Sequence, residues 1–148
     1  MSYTSLNYHV VFSTKQRRPF LENKHIQSIC KYIGGILRNH KGCLLTGNGV
    51  PDHLHLALSL HPEKNLSETV KAIKANSSRW IHETYPDLKL FSWQEGYSAF
   101  SVSYSGLSKV IAYIQSQPEH HRKMSFEEDL ISLLKKHRIK YDPKYVFG

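Results

Sequence analysis

Apolar and polar residues alternate in four short segments of the chain, and this period of two predicts four β-strands. The segments are NYHVVFST at 7–14, CLLTGNG at 43–49, DHLHLALSL at 52–60 and SAFSVSYS at 98–105. We expect a glycine-bearing turn to join the second and third segments, which would make them a β-hairpin. In the third segment leucine occupies every second position, and His53 and His55 stand between the leucines. The pattern therefore predicts a strand with leucines on one face and two imidazoles on the other.

Four other segments carry apolar residues three or four positions apart, a spacing that predicts amphipathic helices. They cover about residues 23–40, 66–85, 107–117 and 125–139. Asn65 is followed by a glutamate three positions on, and so is Ser125, which is the spacing of a capping box. These two residues therefore predict where the second and fourth helices begin. Pro118 predicts that the third helix ends or kinks just before it.

The predicted elements follow the order β-α-β-β-α-β, the ferredoxin-like arrangement, and two more helices come after it. We therefore predict an α+β fold with an antiparallel sheet, followed by a tyrosine-bearing helix and a C-terminal helix. A single domain is expected over 1–148, with a core at about 8–121 and a C-terminal helical extension at about 122–148. Both crossover helices are expected on the leucine side of the sheet. The histidine face should then be open, free for a functional site or for another element.

The net charge of the chain indicates what kind of molecule it binds. The chain has 20 lysines and arginines against 12 acidic residues, a formal net charge of +8. An excess of basic residues favours an anionic binding partner, and nucleic acid is the first candidate. The alternative is that these residues are ordinary solvated surface charge. No signal peptide or bilayer-spanning apolar segment is recognisable, and Cys30 and Cys43 lack the spacing of a metal-binding CxxC pair. We expect a cytoplasmic protein with no membrane partner.

The candidate chemistry lies in the two strand histidines and the third predicted helix. Two imidazoles two positions apart on a strand can share one metal ion, but two surface histidines explain the pair equally well. Tyr113 and Gln117 are four positions apart and therefore share a helix face. Taken separately, each has an ordinary structural explanation, as a half-buried aromatic residue and a polar residue at a helix end.

Together, the segments PDHLHLALS, WQEGYSAFSVS and YIQSQPEHH resemble the single-tyrosine HUH transposases, both the TnpA-type insertion-sequence transposases and the REP-associated tyrosine transposases. The resemblance runs from about Tyr8 to His121 in the family's order of elements, and nothing diagnostic follows Arg122. It implies a metal-dependent endonuclease and strand transferase that recognises hairpin-bearing element ends in single-stranded DNA. In this family a tyrosine attacks a backbone phosphate, which leaves a 5′-phosphotyrosine link and a free 3′-hydroxyl.

Carried over to this chain, the resemblance makes Tyr113 the nucleophile and assigns a divalent metal ion, Mg²⁺ or Mn²⁺, to His53, His55 and the Gln117 amide oxygen. A phenol with a pKa of about 10 is a poor nucleophile at neutral pH. A cation that polarises the phosphate would lower the barrier to its attack. The resemblance also implies a homodimer, and it leaves open whether one site takes its histidines and tyrosine from one chain or two.

Six basic residues are candidates for contact with DNA: Lys15, Arg17, Arg18, Lys71, Lys74 and Arg79. The first three belong to the loop after the first strand, and the others lie off the apolar stripe of the second helix. The alternative hypothesis is a non-catalytic ferredoxin-like module that binds single-stranded nucleic acid on its open sheet face. Such a module needs stacking aromatic residues on that face, where the third strand offers histidine, alanine and serine instead.

Overall fold

The structure, a computed structural model, describes residues 1–120 and 122–146. His121, at the end of the predicted core, and the last two residues of the predicted extension lie outside the described residues. The strands are β1 (Asn7–Ser13), β2 (Cys43–Val50), β3 (His53–Ser59) and β4 (Ser98–Val102). The helices are α1 (Asn23–Asn39), α2 (Leu66–Thr84), α3 (Leu107–Gln115), α4 (Gln117–His120) and α5 (Phe126–Lys136). Among the described residues, no helix is long and apolar enough to cross a membrane.

The strands form one antiparallel sheet in the order β2-β3-β1-β4, which confirms the predicted ferredoxin-like fold class. In the register of β1 with β3, Val11 is opposite His55 and Ser13 is opposite His53. Residues directly opposite each other in an antiparallel pair point to the same face. The odd-numbered residues of β1, including His9, therefore share the histidine face of the sheet.

The main core lies on the leucine face, as predicted. Leu54, Leu56 and Leu58 of β3 are fully buried there, beside Val10 and Phe12 of β1. The two crossover helices cover these residues with Ile26, Ile29, Ile33, Leu37, Val70, Ile73 and Ile81. Burial of each such side chain contributes about 1.5–3 kcal/mol, so this face holds α1 and α2 against the sheet.

The hairpin between β2 and β3 differs from the prediction in its turn. Pro51 and Asp52 form the turn, whereas the predicted turn contained glycine. Gly49 lies inside β2, where an added Cβ would collide with the backbone of His53. Glycine is thus needed at this position because the two backbones approach closely, and not because the chain reverses there.

The element boundaries follow the predicted signals with small shifts. The side chain of Asn65 accepts a hydrogen bond from the backbone of Glu68, and Ser125 caps α5 in the same way. The third helix ends at Gln115, and Gln117 begins the separate helix α4, which accommodates Pro118 in its first turn. β4 ends at Val102, earlier than predicted, because a short 3₁₀ turn follows it.

The crossover helices leave the histidine face free, as expected, and of the two expected uses of this face the docking of another element is observed: the C-terminal helices cover it. On this side, α3 lies against β2 and β3, and α4 lies against β2. α5 packs on β1 and β4 through a second apolar cluster of Val11, Phe100, Phe126, Leu130 and Leu134. The apolar stripes of the C-terminal helices require a surface to bury, and the free face of the sheet supplies it. The cover also removes the open sheet surface that a non-catalytic binding module would need.

Candidate active site

The two histidines of β3 lie side by side beneath the C-terminal helices. Their ring centroids are 5.2 Å apart, and both side chains are completely buried. Because an unpaired buried polar group is costly, the partners of each ring nitrogen decide what these histidines can do.

His53 is oriented by the residue that precedes it. Its Nδ1 lies 2.7 Å from Oδ1 of Asp52. Partial burial opposes ionisation of Asp52, but the hydrogen bond and charge of His53, with the charge of Arg17, bring the pKa of Asp52 below its usual range. A carboxylate on one ring nitrogen fixes the orientation and tautomer of an imidazole and directs its other nitrogen towards a metal.

His55 is oriented by a third histidine, His9 of β1, which the sequence patterns did not identify. Nδ1 of His55 lies 2.9 Å from Nε2 of His9, and the two rings are stacked. Burial lowers the pKa of His9 to about 4; Asp129 opposes this effect, and His137 and Lys136 at the end of α5 add to it. His9 is therefore neutral near pH 7, so the pair shares one hydrogen bond between two nitrogens. The other nitrogen of His55, Nε2, lies 3.8 Å from Oδ2 of Asp129.

Tyr113, on α3, contacts three imidazoles edge-on. The centroid of its ring lies 5.6 Å from that of His55, 5.8 Å from that of His9 and 5.1 Å from that of His120. Its hydroxyl donates a hydrogen bond to the carboxylate of Asp129 on α5. Burial, with the hydrogen bond and charge of Asp129, raises the pKa of Tyr113 above its usual range. The phenol is therefore neutral near pH 7 and must lose its proton to act as a nucleophile.

Gln117 lies one turn after Tyr113 and is completely buried at the start of α4. Its Nε2 donates to the backbone carbonyl of Tyr113 at 3.4 Å. Its Oε1 has no hydrogen-bond partner among residues 1–120 and 122–146. A buried acceptor without a partner costs about 1–3 kcal/mol, so a ligand on this oxygen would stabilise the fold.

The residues present fit a divalent metal ion. Each of the two imidazoles is held by a partner on Nδ1. The amide oxygen of Gln117 has no partner among the described residues, and Mg²⁺ and Mn²⁺ accept such an oxygen as a ligand. In the described part of the chain, no three histidine, cysteine, aspartate or glutamate side chains are placed to hold one metal ion. A metal ion here would therefore need a donor of another type, and Gln117 can supply it.

Asp129 and His120 are two further site residues that the sequence patterns did not identify. Asp129 is 3% exposed, and its Oδ1 lies 3.1 Å from Nε2 of His120. In the sequence, Asp129 stands on the apolar side of α5, between Phe126 and Leu130. An acidic residue on a buried stripe is rare unless it is paired, and this was the signal that could have identified it.

A cavity of about 450 Å³ opens beside Tyr113, between β4, α3 and α5. Tyr113 and Asp129 form part of its wall, and Lys109, Lys136 and His137 also line it. The cavity therefore joins the hydroxyl of Tyr113 to a cationic surface that would attract a phosphate group.

The basic loop that follows β1 contains three of the predicted DNA contacts. Lys15 and Arg18 are exposed. Arg17 forms an ion pair of 2.5 Å with Glu127 in the first turn of α5. This pair ties the basic loop to the helix that covers the histidines.

The other three predicted DNA contacts lie on α2, on the far side of the sheet from Tyr113. Lys71 and Arg79 are exposed. Lys74 is half-buried, and its ammonium donates hydrogen bonds to three consecutive backbone carbonyls, those of residues 94–96. Lys74 therefore binds the segment that precedes β4 to α2.

Comparisons with known sequences identify the same family that these motifs resemble. A sequence model of the IS200-like transposases matches residues 2–117, a segment that includes His53, His55, Tyr113 and Gln117. The ISDra2 transposase TnpA of Deinococcus radiodurans is 30% identical to this chain over 117 residues, which cover 76% of this chain and 84% of that protein. The transposase for insertion sequence element IS200 of Salmonella typhimurium is 29% identical over 126 residues, 78% of each chain.

Two solved structures are similar in fold. The crystal structure of a candidate transposase from D. radiodurans R1 superposes with a TM-score of 0.65 at 25% identity, over 79% of this chain and 95% of that chain. The structure of a REP-associated tyrosine transposase bound to a REP hairpin gives a TM-score of 0.62 at 17% identity, over 100% of this chain and 97% of that chain. The likeness in fold thus extends beyond the segment that the family model matches.

Proposed function

This chain belongs to the IS200-like family of tyrosine transposases, and we propose that it cuts and rejoins single-stranded DNA through a covalent bond to Tyr113. The observation that carries the proposal is the position of the phenol, 5.6 Å from the ring of His55 and in the wall of a cavity that Lys109 and Lys136 also line. The short distance between Tyr113 and His55 within one chain supports a site assembled without a second copy. The homodimer implied by the resemblance stays a prediction.

In the proposed reaction, Oη of Tyr113 attacks the phosphorus of a backbone phosphodiester. An oxygen–phosphorus bond forms, the bond from phosphorus to the 3′ oxygen breaks, and the DNA is left attached to Tyr113 through its 5′ phosphate. A 3′-hydroxyl can then attack this phosphotyrosine and rejoin two strands. Because the phosphotyrosine link retains the free energy of the phosphodiester bond that was broken, the reaction needs no nucleotide cofactor.

We propose that His53, His55 and Oε1 of Gln117 hold the divalent metal ion, Mg²⁺ or Mn²⁺. Three protein ligands would leave coordination positions for phosphate and water. When bound, such an ion supplies Lewis-acid stabilisation of charge on the phosphate and on the leaving 3′ oxygen. The protein's own contribution is orientation: Asp52 holds the ring of His53, and His9 holds the ring of His55.

We propose a hairpin-bearing single strand as the substrate, since a relative of the same fold is bound to a REP hairpin. Lys109 and Lys136 line the cavity beside Tyr113 and would contact the phosphates next to the scissile bond. The more distant candidates for backbone contact are Lys15, Arg17, Arg18, Lys71 and Arg79. Lys74 is not included, because its ammonium is already bound to three carbonyls.

The test is incubation of the purified protein with Mn²⁺ and a library of hairpin-bearing single strands with random flanks, followed by denaturing electrophoresis. We expect a covalent protein–DNA adduct that disappears with a chelator and in the Tyr113→Phe variant, which keeps the ring but lacks the oxygen. Tyr104→Phe is the matched control, because Tyr104 is 81% exposed and lies outside the site. An adduct that persists in Tyr113→Phe, or a library that yields no adduct with the unmodified protein, would contradict the proposal.

A further inference from the structure

The attack by Tyr113 requires a group that takes the phenol proton, and the carboxylate that already accepts the hydrogen bond of this hydroxyl is Asp129. We propose that Asp129 is the general base of the reaction: it aims Oη at the phosphorus and accepts its proton during the attack. The inference rests on the proposed function, because it requires Tyr113 to be the nucleophile. The inference also assigns a catalytic role to α5, a helix that lies beyond the segment matched by the family model.

The surroundings of Asp129 suit this role. The residue lies in the first turn of α5, where the helix dipole stabilises a negative charge. Nε2 of His120, 3.1 Å from Oδ1, fixes the carboxylate from the side of α4. General bases act from within hydrogen-bond distance of the proton that they remove, and Asp129 meets this condition before any substrate binds.

The substrate can reach this pair of residues. Tyr113 and Asp129 both line the cavity beside α3 and α5, so a phosphate that enters the cavity meets the phenol and its acceptor together. Lys109 and Lys136 line the same cavity. Their charges would offset the repulsion between the carboxylate and the phosphate.

The bond changes balance without a further reactant. The O–H bond of Tyr113 breaks and its proton moves to a carboxylate oxygen of Asp129. The released electron pair on Oη forms the bond to phosphorus, and the electrons of the bond to the 3′ oxygen leave with that oxygen, which takes a proton from water. In the rejoining reaction the attacking 3′-hydroxyl releases its proton to water, and the protonated Asp129 returns its proton to Oη as the bond from Oη to phosphorus breaks.

The first variant to measure is Asp129→Asn, which keeps the size of the side chain and removes its ability to accept the proton. We expect adduct formation to slow by roughly 100-fold or more, the usual contribution of a general base. The variant should still bind the hairpin and unfold in one cooperative transition, which shows that the loss of rate is not a loss of the fold. Glu128→Gln is the matched control, because it removes a charge from the neighbouring, exposed position of the same helix and should leave the rate unchanged.

A second measurement separates proton transfer from mere positioning. Incorporation of 2,3,5-trifluorotyrosine at position 113 makes the phenol more acidic and therefore less dependent on a base. With this nucleophile, we expect the loss caused by Asp129→Asn to shrink to about tenfold or less, because the proton no longer needs a carboxylate. A purely structural role predicts the same loss with either phenol. Asp129→Ser, which also lacks the carboxylate, provides the same comparison if the asparagine variant does not fold.

The outcomes distinguish this inference from the proposed function. If the unmodified protein forms the adduct and Asp129→Asn forms it at the same rate, Asp129 is not the base and the function stands. Faster cleavage by Asp129→Asn would also overturn the inference and would identify the contact as inhibitory. An equal loss with both phenols would reduce Asp129 to a positioning residue. Absence of the adduct from the unmodified protein would overturn the function itself.

Discussion

The ring of Phe126 packs on the ring of His53, with the two centroids 4.2 Å apart. Phe126 is the first residue of α5 and belongs to the apolar cluster that fixes this helix to the sheet. Three residues later, Asp129 reaches the hydroxyl of Tyr113. One helix therefore covers a proposed metal ligand and contacts the proposed nucleophile.

Replacement of Phe126 by alanine should lower the free energy of unfolding by roughly 3–5 kcal/mol, because it leaves a cavity beneath α5. It should also expose His53, so modification by diethyl pyrocarbonate should become faster. Chemical denaturation measures the first effect and mass spectrometry of the modified histidine measures the second. Tyr104→Ala, at an exposed position, should change the unfolding free energy by less than about 0.5 kcal/mol. An unchanged stability of Phe126→Ala would mean that α5 does not hold the site closed.

Replacement of His9 by leucine removes the partner of Nδ1 on His55 while filling much of the same space. Removal of such an orienting partner weakens metal binding by about 10–100-fold, so we expect the Mn²⁺ concentration for half-maximal adduct formation to rise by that factor. The rate at saturating Mn²⁺ should largely recover. His61→Leu is the control, since His61 is exposed and lies outside the site. An unchanged Mn²⁺ requirement in His9→Leu would show that His55 needs no orienting partner.

Substitutions of Gln117 test the third proposed metal ligand. Gln117→Ala removes the unpartnered oxygen and should raise the Mn²⁺ concentration that cleavage requires, while Tyr113 stays competent. Gln117→Glu adds a negative charge to the same position and should lower that concentration. Titration of adduct formation with Mn²⁺ measures both shifts. If neither variant changes the metal dependence, the third ligand comes from elsewhere and α4 has no part in the metal site.

Replacement of the two lysines that line the cavity tests whether the DNA binds there. The double variant Lys109→Ala, Lys136→Ala should bind hairpin DNA more weakly. The slope of log affinity against log salt should become shallower by about 0.7 for each single-strand phosphate that the protein no longer neutralises. Fluorescence anisotropy at several salt concentrations gives this slope. Lys31→Ala with Lys89→Ala is the charge-matched control at exposed positions outside the cavity. Equal slopes in the two double variants would place the DNA elsewhere.

The sequence could predict the features that depend on local periodicity. Alternation in β3 put His53 and His55 on one face, and a spacing of four put Gln117 beside Tyr113. The crossover helices had apolar stripes that only the leucine face could bury. Each of these inferences uses residues within a few positions of one another, where backbone geometry alone fixes the direction of side chains.

The remaining features depend on contacts between distant segments. His9 reaches His55 only through the register of β1 with β3, and a single histidine on a strand carries no sign of that pairing. Asp129 meets Tyr113 only because α5 folds back over the sheet, a docking that its apolar stripe requires but whose position the stripe does not specify. The glycines near the end of β2 predicted a glycine-bearing turn, because close backbone approach and chain reversal both favour glycine.

The most direct test of the account is to identify the residue that carries the DNA. Trypsin cleaves after Lys109 and Arg122, and the peptide between them, VIAYIQSQPEHHR, contains Tyr113 as its only tyrosine. After the adduct is treated with nuclease and trypsin, mass spectrometry should find a nucleotide phosphate on this peptide, with fragment ions that assign it to Tyr113. A nucleotide on any other tyrosine of the chain, or on a residue of another type, would contradict the account.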